Sequence, residues 1–127
     1  TDTAYTSMAN VLLISHERLN LIATKRLGDT QMTILEFLRR NNTYTAMSGQ
    51  ALTIRAVRGL NSAGAGATSR MVTYRRDPGV LKMHIPMPHR FLPLYQDGPL
   101  NFVVPGVFRI GGLDIRPPKE DSYVDGI

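Results

Sequence analysis

An α+β fold is the class this sequence predicts, and three observations carry the prediction. Capped, helix-periodic segments occur only between His16 and Arg40. From Arg70 to Ile127 apolar residues recur at strand spacing between Gly, Pro and Asp turn signals. At 127 residues and 43% hydrophobic content the chain is long enough to bury one core and too short for two ordinary ones, so residues 1–127 read as a single domain. The start at Thr1, in a run (TDTAYTSMAN) leading straight into VLLI, reads as a piece of a longer protein.

The elements follow in order. Asn10 to Ser15 (NVLLIS) is a short apolar run suited to a buried strand, and Ser15 is placed to cap a helix. Leu19, Ile22 and Ala23 form its inner face, Glu17 lies in the first turn, Lys25 and Arg26 in the last, and Gly28 is expected as the C′ residue. A second helix is expected from about Gln31 to Arg40, capped by Asp29 or Thr30, with Met32, Leu35 and Leu38 in one stripe joined by Ile34 and Phe37. Glu36 is one turn from Arg40 and should pair with it. Tyr44 to Gln50 reads as a loop, and Ala51 to Val57 as a strand in which Leu52, Ile54 and Ala56 alternate with Thr53 and Arg55.

Gly59 to Ser69 (GLNSAGAGATS) is low in complexity, contains nothing large enough to anchor it firmly, and is expected to be mobile. Arg70 to Arg76 and Val80 to Met87 read as a hairpin about Asp77-Pro78-Gly79, with Met83, Ile85 and Met87 on one face as core filling. Asp97-Gly98 is a second turn, and Leu100 to Val104 has apolar residues on both faces, as a strand covered on both sides requires. Pro105-Gly106 marks a bend, and Gly111-Gly112 a kink between Val107 to Ile110 and the alternating Leu113 to Arg116. Pro117-Pro118 ends the pairing, leaving Glu120, Asp121 and Asp125 in a tail.

Composition excludes several chemistries. No apolar run approaches the ~20 residues that span a bilayer, and no signal segment is recognisable, so neither membrane insertion nor secretion is expected. Without cysteine there are no disulfides and no thiolate metal sites. His16-Glu17 does not open an HExxH motif, His84 reads as an outward strand residue, and His89 as a loop residue. Neither Met47-Ser48-Gly49 nor Asn61-Ser62-Ala63 forms a nucleophile elbow, and Gly64-Ala65-Gly66 lacks the GK[ST] of a phosphate loop. The ten carboxylates are dispersed, which leaves paired acid–base work unsupported. No catalytic residue, cofactor, metal or small-molecule substrate is expected.

The charge is +5, carried by twelve Arg and three Lys. Arg suits bidentate pairing with carboxylate or phosphate and is enriched at protein interfaces. Scattered placement favours interfaces, with nucleic-acid binding as the alternative.

TILEFLRRNN (Thr33 to Asn42), RMVTYRRDPGVLKMHIP (Arg70 to Pro86), LPLYQDGPLNFVVP (Leu92 to Pro105) and RIGGLDIRPP with a final YVDGI together carry a resemblance covering nearly the whole chain. It resembles the C-terminal part of the major capsid proteins of tailed bacteriophages, in a prophage-encoded branch of the Hong Kong 97-like fold. The resemblance implies a mixed β-sheet flanked by two or more helices, the axial domain, at about residues 5–95, followed by returning peripheral-domain strands at about 96–127. The family's N-terminal arm, long hairpin and spine helix find no match here.

It further implies a non-enzymatic structural subunit, assembled in the bacterial cytoplasm into capsomers and an icosahedral shell, and located in the virion. Its partners would be other copies of the subunit and, through non-specific contacts, packaged DNA; a cellular nanocompartment shell is the alternative within the same fold. Subunit contacts are expected at Asn41, Asn42, Asn61 and Ser62, on the loops Asn41 to Gln50 and Gly59 to Ser69, and at Arg75, Arg76 and Arg90, which face neighbouring subunits in preference to packaged DNA. Lys25, Lys82, Lys119, Asn101 and Glu120 stand in no motif matching the family's cross-linking residues, so cross-linking is not expected.

Overall fold

The computed structural model describes residues 7–127; residues 5 and 6, where the axial domain was expected to begin, lie outside that range. Val11–Ile14 (β1) is the best-buried element, with Val11, Leu12 and Ile14 all below 9% exposure. Its uniformly apolar sequence has a structural cause: it is an inner strand of a mixed four-stranded sheet. Thr53–Ala56 (β2) lies parallel on one side, Arg70–Tyr74 (β3) antiparallel on the other, and Ser122–Asp125 (β10) extends the sheet beyond β3. The mixed sheet beside helices is the expected α+β architecture. In β2, Ile54 and Ala56 turn inward while Thr53 and Arg55 are exposed, as their alternation requires.

His16–Thr24 (α1) starts at Ser15, whose fully buried hydroxyl accepts from the Arg18 backbone N–H at 3.4 Å. Leu19, Ile22 and Ala23 are its half-buried residues, as the spacing predicts. The expected C-terminus does not hold: the helix is capped at Lys25, so Lys25 and Arg26 lie past its last turn. A small paired loop causes this. Leu27 N–H donates to Met32 C=O and Ile34 N–H to Lys25 C=O, with Gly28 in the turn at φ +54°.

The same pairing draws Gln31 and Met32 out of the second helix, which runs Ile34–Arg40 (α2) with Thr33, not Asp29 or Thr30, as its cap. Phe37 is exposed, while Ile34, Leu35 and Leu38 are half-buried. The Glu36–Arg40 ion pair forms at 2.8 Å. Residues 44–50, expected as a loop, are mostly helical: Thr43–Ser48 (α3) is capped by Asn42 and ends at Gly49, φ +70°. A cap and a left-handed stop suffice for one and a half turns despite modest propensity.

The chain divides into two compact units: the described residues up to Val80 with Pro117–Ile127, and Leu81–Arg116. The second is a two-stranded ribbon. Leu81–His84 (β4) pairs with Gly112–Ile115 (β9), Met87–Phe91 (β5) with Gly106–Arg109 (β8), and Tyr95–Gln96 (β6) with Phe102–Val103 (β7), all antiparallel. The tip closes where Asp97 N–H donates to Asn101 C=O, with Gly98 at φ +95°. The breaks at Pro105 and at Gly111-Gly112 appear where Pro and Gly place them.

Two expectations fail here. The Asp77-Pro78-Gly79 turn forms no hairpin: β3 is taken by β1 and β10, so β4 pairs 30 residues downstream with β9. Residues 100–104 are not covered on both faces either: Leu100, Phe102 and Val104 are all exposed, Leu100 at 86%. Met83 is also exposed and is not core filling.

Candidate subunit-contact surfaces

The expected contact residues fall into two groups. Asn42, Asn61 and Arg75 are occupied inside the subunit. Asn42 joins two helices: its Oδ1 accepts from Thr45 N–H at 2.8 Å, while Nδ2 donates to Leu38 C=O at 2.8 Å and Arg39 C=O at 3.2 Å. Asn61 ends the short 3₁₀ turn Arg58–Asn61, and its carbonyl and side-chain oxygens both accept from the buried Ser69 hydroxyl. Arg75 donates to Ser7 Oγ at 2.9 Å and lies 3.6 Å from both Asp77 and Glu120.

The others present themselves outward. Asn41, Ser62, Arg76 and Arg90 are exposed, as is Asn61 for all its internal bonds. The Arg76 backbone N–H donates to Asn10 Oδ1 at 2.7 Å. Arg90 extends from β5. A polar hollow of about 320 Å³ lies beside the occupied group, lined by Ser7, Met8, Asn10, Tyr44, Gln50, Arg75 and Asp77.

The acidic tail is not a tail. The 3₁₀ turn Pro118–Glu120 leads into β10, so pairing resumes only five residues after Pro117. The sequence signal was present in Tyr123 and Val124, strand-prone residues bounded by Gly126, but the two prolines obscured it. At 3.6 Å the Arg75–Glu120 contact is an ion pair, too long for a hydrogen bond; Glu120 Oε2 and, separately, Asp121 Oδ1 are buried with no hydrogen-bond partner among the described residues. Burial and the neighbouring Glu120 push the Asp121 carboxyl above its ordinary range.

Asp125, at the end of β10, does the opposite. It accepts from Arg70 Nε at 2.6 Å and from a second Arg70 nitrogen at 3.0 Å, and from Ala65 N–H at 3.2 Å. These donors hold its carboxyl below the ordinary range, Arg70 contributing most, and Arg70 is raised in turn. The Arg70 guanidinium also lies 4.5 Å from the Tyr123 ring centroid. Sequence reasoning missed both Arg70 and Asp125. Residues 59–69, expected to be unanchored, are folded against this carboxylate through the turns Arg58–Asn61 and Ala65–Ala67.

In the ribbon, register decides which side chains share a face. Leu81 pairs with Ile115 and Met83 with Leu113, giving an apolar face; Lys82 opposite Asp114 and His84 opposite Gly112 form the other. His84 Nε2 and Arg116 Nε lie 3.7 and 3.6 Å from Asp114. His89, expected in a loop, stands in β5 with its ring edge-on to Phe91, centroids 4.8 Å apart. Among the described residues no three His, Asp or Glu converge as a metal site, and no helix is long and apolar enough to cross a membrane.

Comparison with known proteins bears on the family and the fold. No curated protein sequence matches the chain. Among solved structures it is similar to the capsid of Myoviridae phage XM1, with a TM-score of 0.78 at 22% identity, over 98% of this chain. The chain spans 40% of the length of that capsid chain, and the likeness is one of fold. The family model for the major capsid protein matches residues 1–127 in full, and this chain therefore belongs to the major capsid protein family.

Proposed function

We propose that this chain is a structural part of a phage or prophage capsid subunit, which self-associates into capsomers and an icosahedral shell around DNA after synthesis in the bacterial cytoplasm. The observation that carries the reading, beside family membership, is the ribbon. Thirteen large apolar side chains between Met83 and Ile115 are exposed, among them Phe91, Phe102, Phe108 and Leu113. A two-stranded ribbon is marginally stable alone in water, and a monomer's largest apolar patch is typically ~300–600 Å². So much uncovered apolar surface on so thin an element fits a piece of a laterally joined shell.

The unit built on the mixed sheet is taken as the axial domain and the ribbon as the returning peripheral-domain strands. The boundary then falls at Leu81 and not near residue 96, because β4 and β5 pair with β9 and β8. Asn41, Ser62, Arg76 and Arg90 are assigned to contacts with neighbouring subunits, and non-specific contact with packaged DNA is left to the same exposed arginines. Asn42, Asn61 and Arg75 shape those surfaces from within.

Electron microscopy and light scattering of the full-length subunit, expressed alone and with neighbouring genes, test this. Closed shells or rings are expected. Leu113→Lys should lower their yield at least tenfold without altering the melting of the unassembled subunit, whereas Lys82→Ser, on the polar face, should leave it unchanged. A subunit that stays monomeric under all conditions and retains DNA at moderate salt would replace this reading with a nucleic-acid-binding module.

A further inference from the structure

The segment 59–69 has the composition of a free linker, yet it is held by a residue about 60 positions away. Asp125 uses both carboxylate oxygens: Oδ1 accepts from Arg70 Nε, and Oδ2 from Arg70 and from the Ala65 backbone N–H. Around that anchor the loop closes on itself. Gly64 N–H donates to Thr68 C=O, Ala67 N–H to Gly64 C=O, and the Thr68 hydroxyl to Ala65 C=O. Gly126 N–H then donates to Ser69 C=O, and the Ser69 hydroxyl to Asn61 C=O, so both ends of the segment are tied.

Two backbone features show that this conformation is imposed. Gly66 and Ala67 both have positive φ, +68° and +59°, the latter without glycine's freedom. A Cβ on Gly64 would lie 2.5 Å from Thr68 Oγ1, 2.8 Å from Thr68 C=O and 3.2 Å from Asp125 Oδ1, so only glycine fits this closure unstrained. Beyond Leu60, which is half-buried at its start, nothing bulky in the loop provides packing in place of these bonds; the hold on residues 61–69 is polar, with Asp125 bridging it to Arg70.

We infer that Asp125 is a positioning residue: by bridging Arg70 and Ala65 it orders residues 59–69 only when strand β10 is docked on β3, and so fixes the shape that this loop presents to a neighbouring subunit. The partner in this inference rests on the shell reading; the ordering does not. Docking of the C-terminal strand and formation of the contact loop are thereby one event. A subunit whose last strand is not yet paired lacks the loop conformation.

Hydrogen exchange on the full-length, unassembled subunit, with capsomer yield measured in parallel by sedimentation, tests it. Asp125→Ala should raise exchange at the amides of residues 64–69 at least tenfold, leave β1 unchanged and lower capsomer yield. Gly64→Ala, whose Cβ would press on Thr68 and on Asp125 Oδ1 and so disturb the closure while leaving every bonding group in place, should do the same. Unchanged exchange in the loop overturns the inference, as does raised exchange with undiminished capsomers. Wild-type subunits that never form capsomers overturn the shell reading and, with it, the loop's role toward a neighbour; the exchange result still decides whether Asp125 orders the loop.

Discussion

Two aspartates four residues apart, Asp121 and Asp125, are driven in opposite directions by their surroundings. Asp125 is held below the ordinary carboxylate range by Arg70 and Ala65, so its charged form is favoured by folding. Its contribution to stability is complete above the unfolded value of ~3.9 and is lost as pH falls through the lower folded value. Asp121, raised by burial and by Glu120, behaves inversely: stability is greatest below ~3.9 and declines as pH rises through its folded value. Urea midpoints between pH 2 and 7 should therefore separate the two. Asp125→Asn is expected to destabilise at pH 7, with the difference from wild type shrinking below about pH 4. Asp121→Asn is expected to stabilise at pH 7 and to lose that advantage at higher pH than Asp125→Asn loses its penalty, as pH falls through the raised folded value of Asp121 toward ~3.9. Opposite signs at pH 7 are the result that matters; equal signs would mean that burial and pairing have been misassigned.

Between α2 and α3 a single side chain does the work of a connection. Most N-caps only accept, so Asn, Asp and Ser are nearly equivalent there. Asn42 accepts from Thr45 and also donates to two carbonyls at the end of α2. Asn42→Ala should cost about 2 kcal/mol, the upper end of the cap range, because both helices lose a terminal partner. Asn42→Asp should fail to restore it, since a carboxylate keeps the acceptor, loses the donor and faces the negative end of α2. Denaturant unfolding reads both, and full rescue by Asp would show that the donor bonds carry nothing. At this scale the sequence was partly legible. The Ser15 cap, the inner face of α1 and the Glu36–Arg40 pair follow from spacing alone, as does the alternation in β2. The late start of α2 did not, because the bonds Leu27 to Met32 and Lys25 to Ile34 compete with helix formation and have no periodicity of their own.

For the whole chain, the contrast between its two units is the main energetic fact. Val11, Leu12, Ile14 and Val80 are its buried apolar residues among those described, and all belong to the mixed-sheet unit. Leu81–Arg116 contains no buried residue. Cross-strand pairs contribute only about 0.2–1 kcal/mol each, so the ribbon's ladder is expected to open readily before assembly. Amide exchange in the unassembled subunit should be slowest in β1 and faster by about two orders of magnitude or more in β4 to β9. Protection across the ribbon should then appear on assembly. Slow exchange there in the isolated subunit would mean that some other part of the subunit already covers it.

What the sequence by itself determined is local: one strand apolar enough to be internal, two helices and the cap of the first, the turns at Pro and Gly, and the absence of a thiol or a recognisable catalytic motif. The order of those elements was also enough to reveal the capsid resemblance. Which strand meets which was decided only by the tertiary structure. A strand's alternation states that it has an inner face but not its partner, and β3, with two neighbours available, left β4 to pair with a segment 30 residues away. The bond between Asp125 and Ala65, 60 residues apart, was equally invisible, because a carboxylate near a chain end looks the same whether solvated or bonded. Pairing over such distances is fixed by closure of the whole sheet, where register places Arg70 opposite Asp125 and turns two unremarkable charges into an anchor.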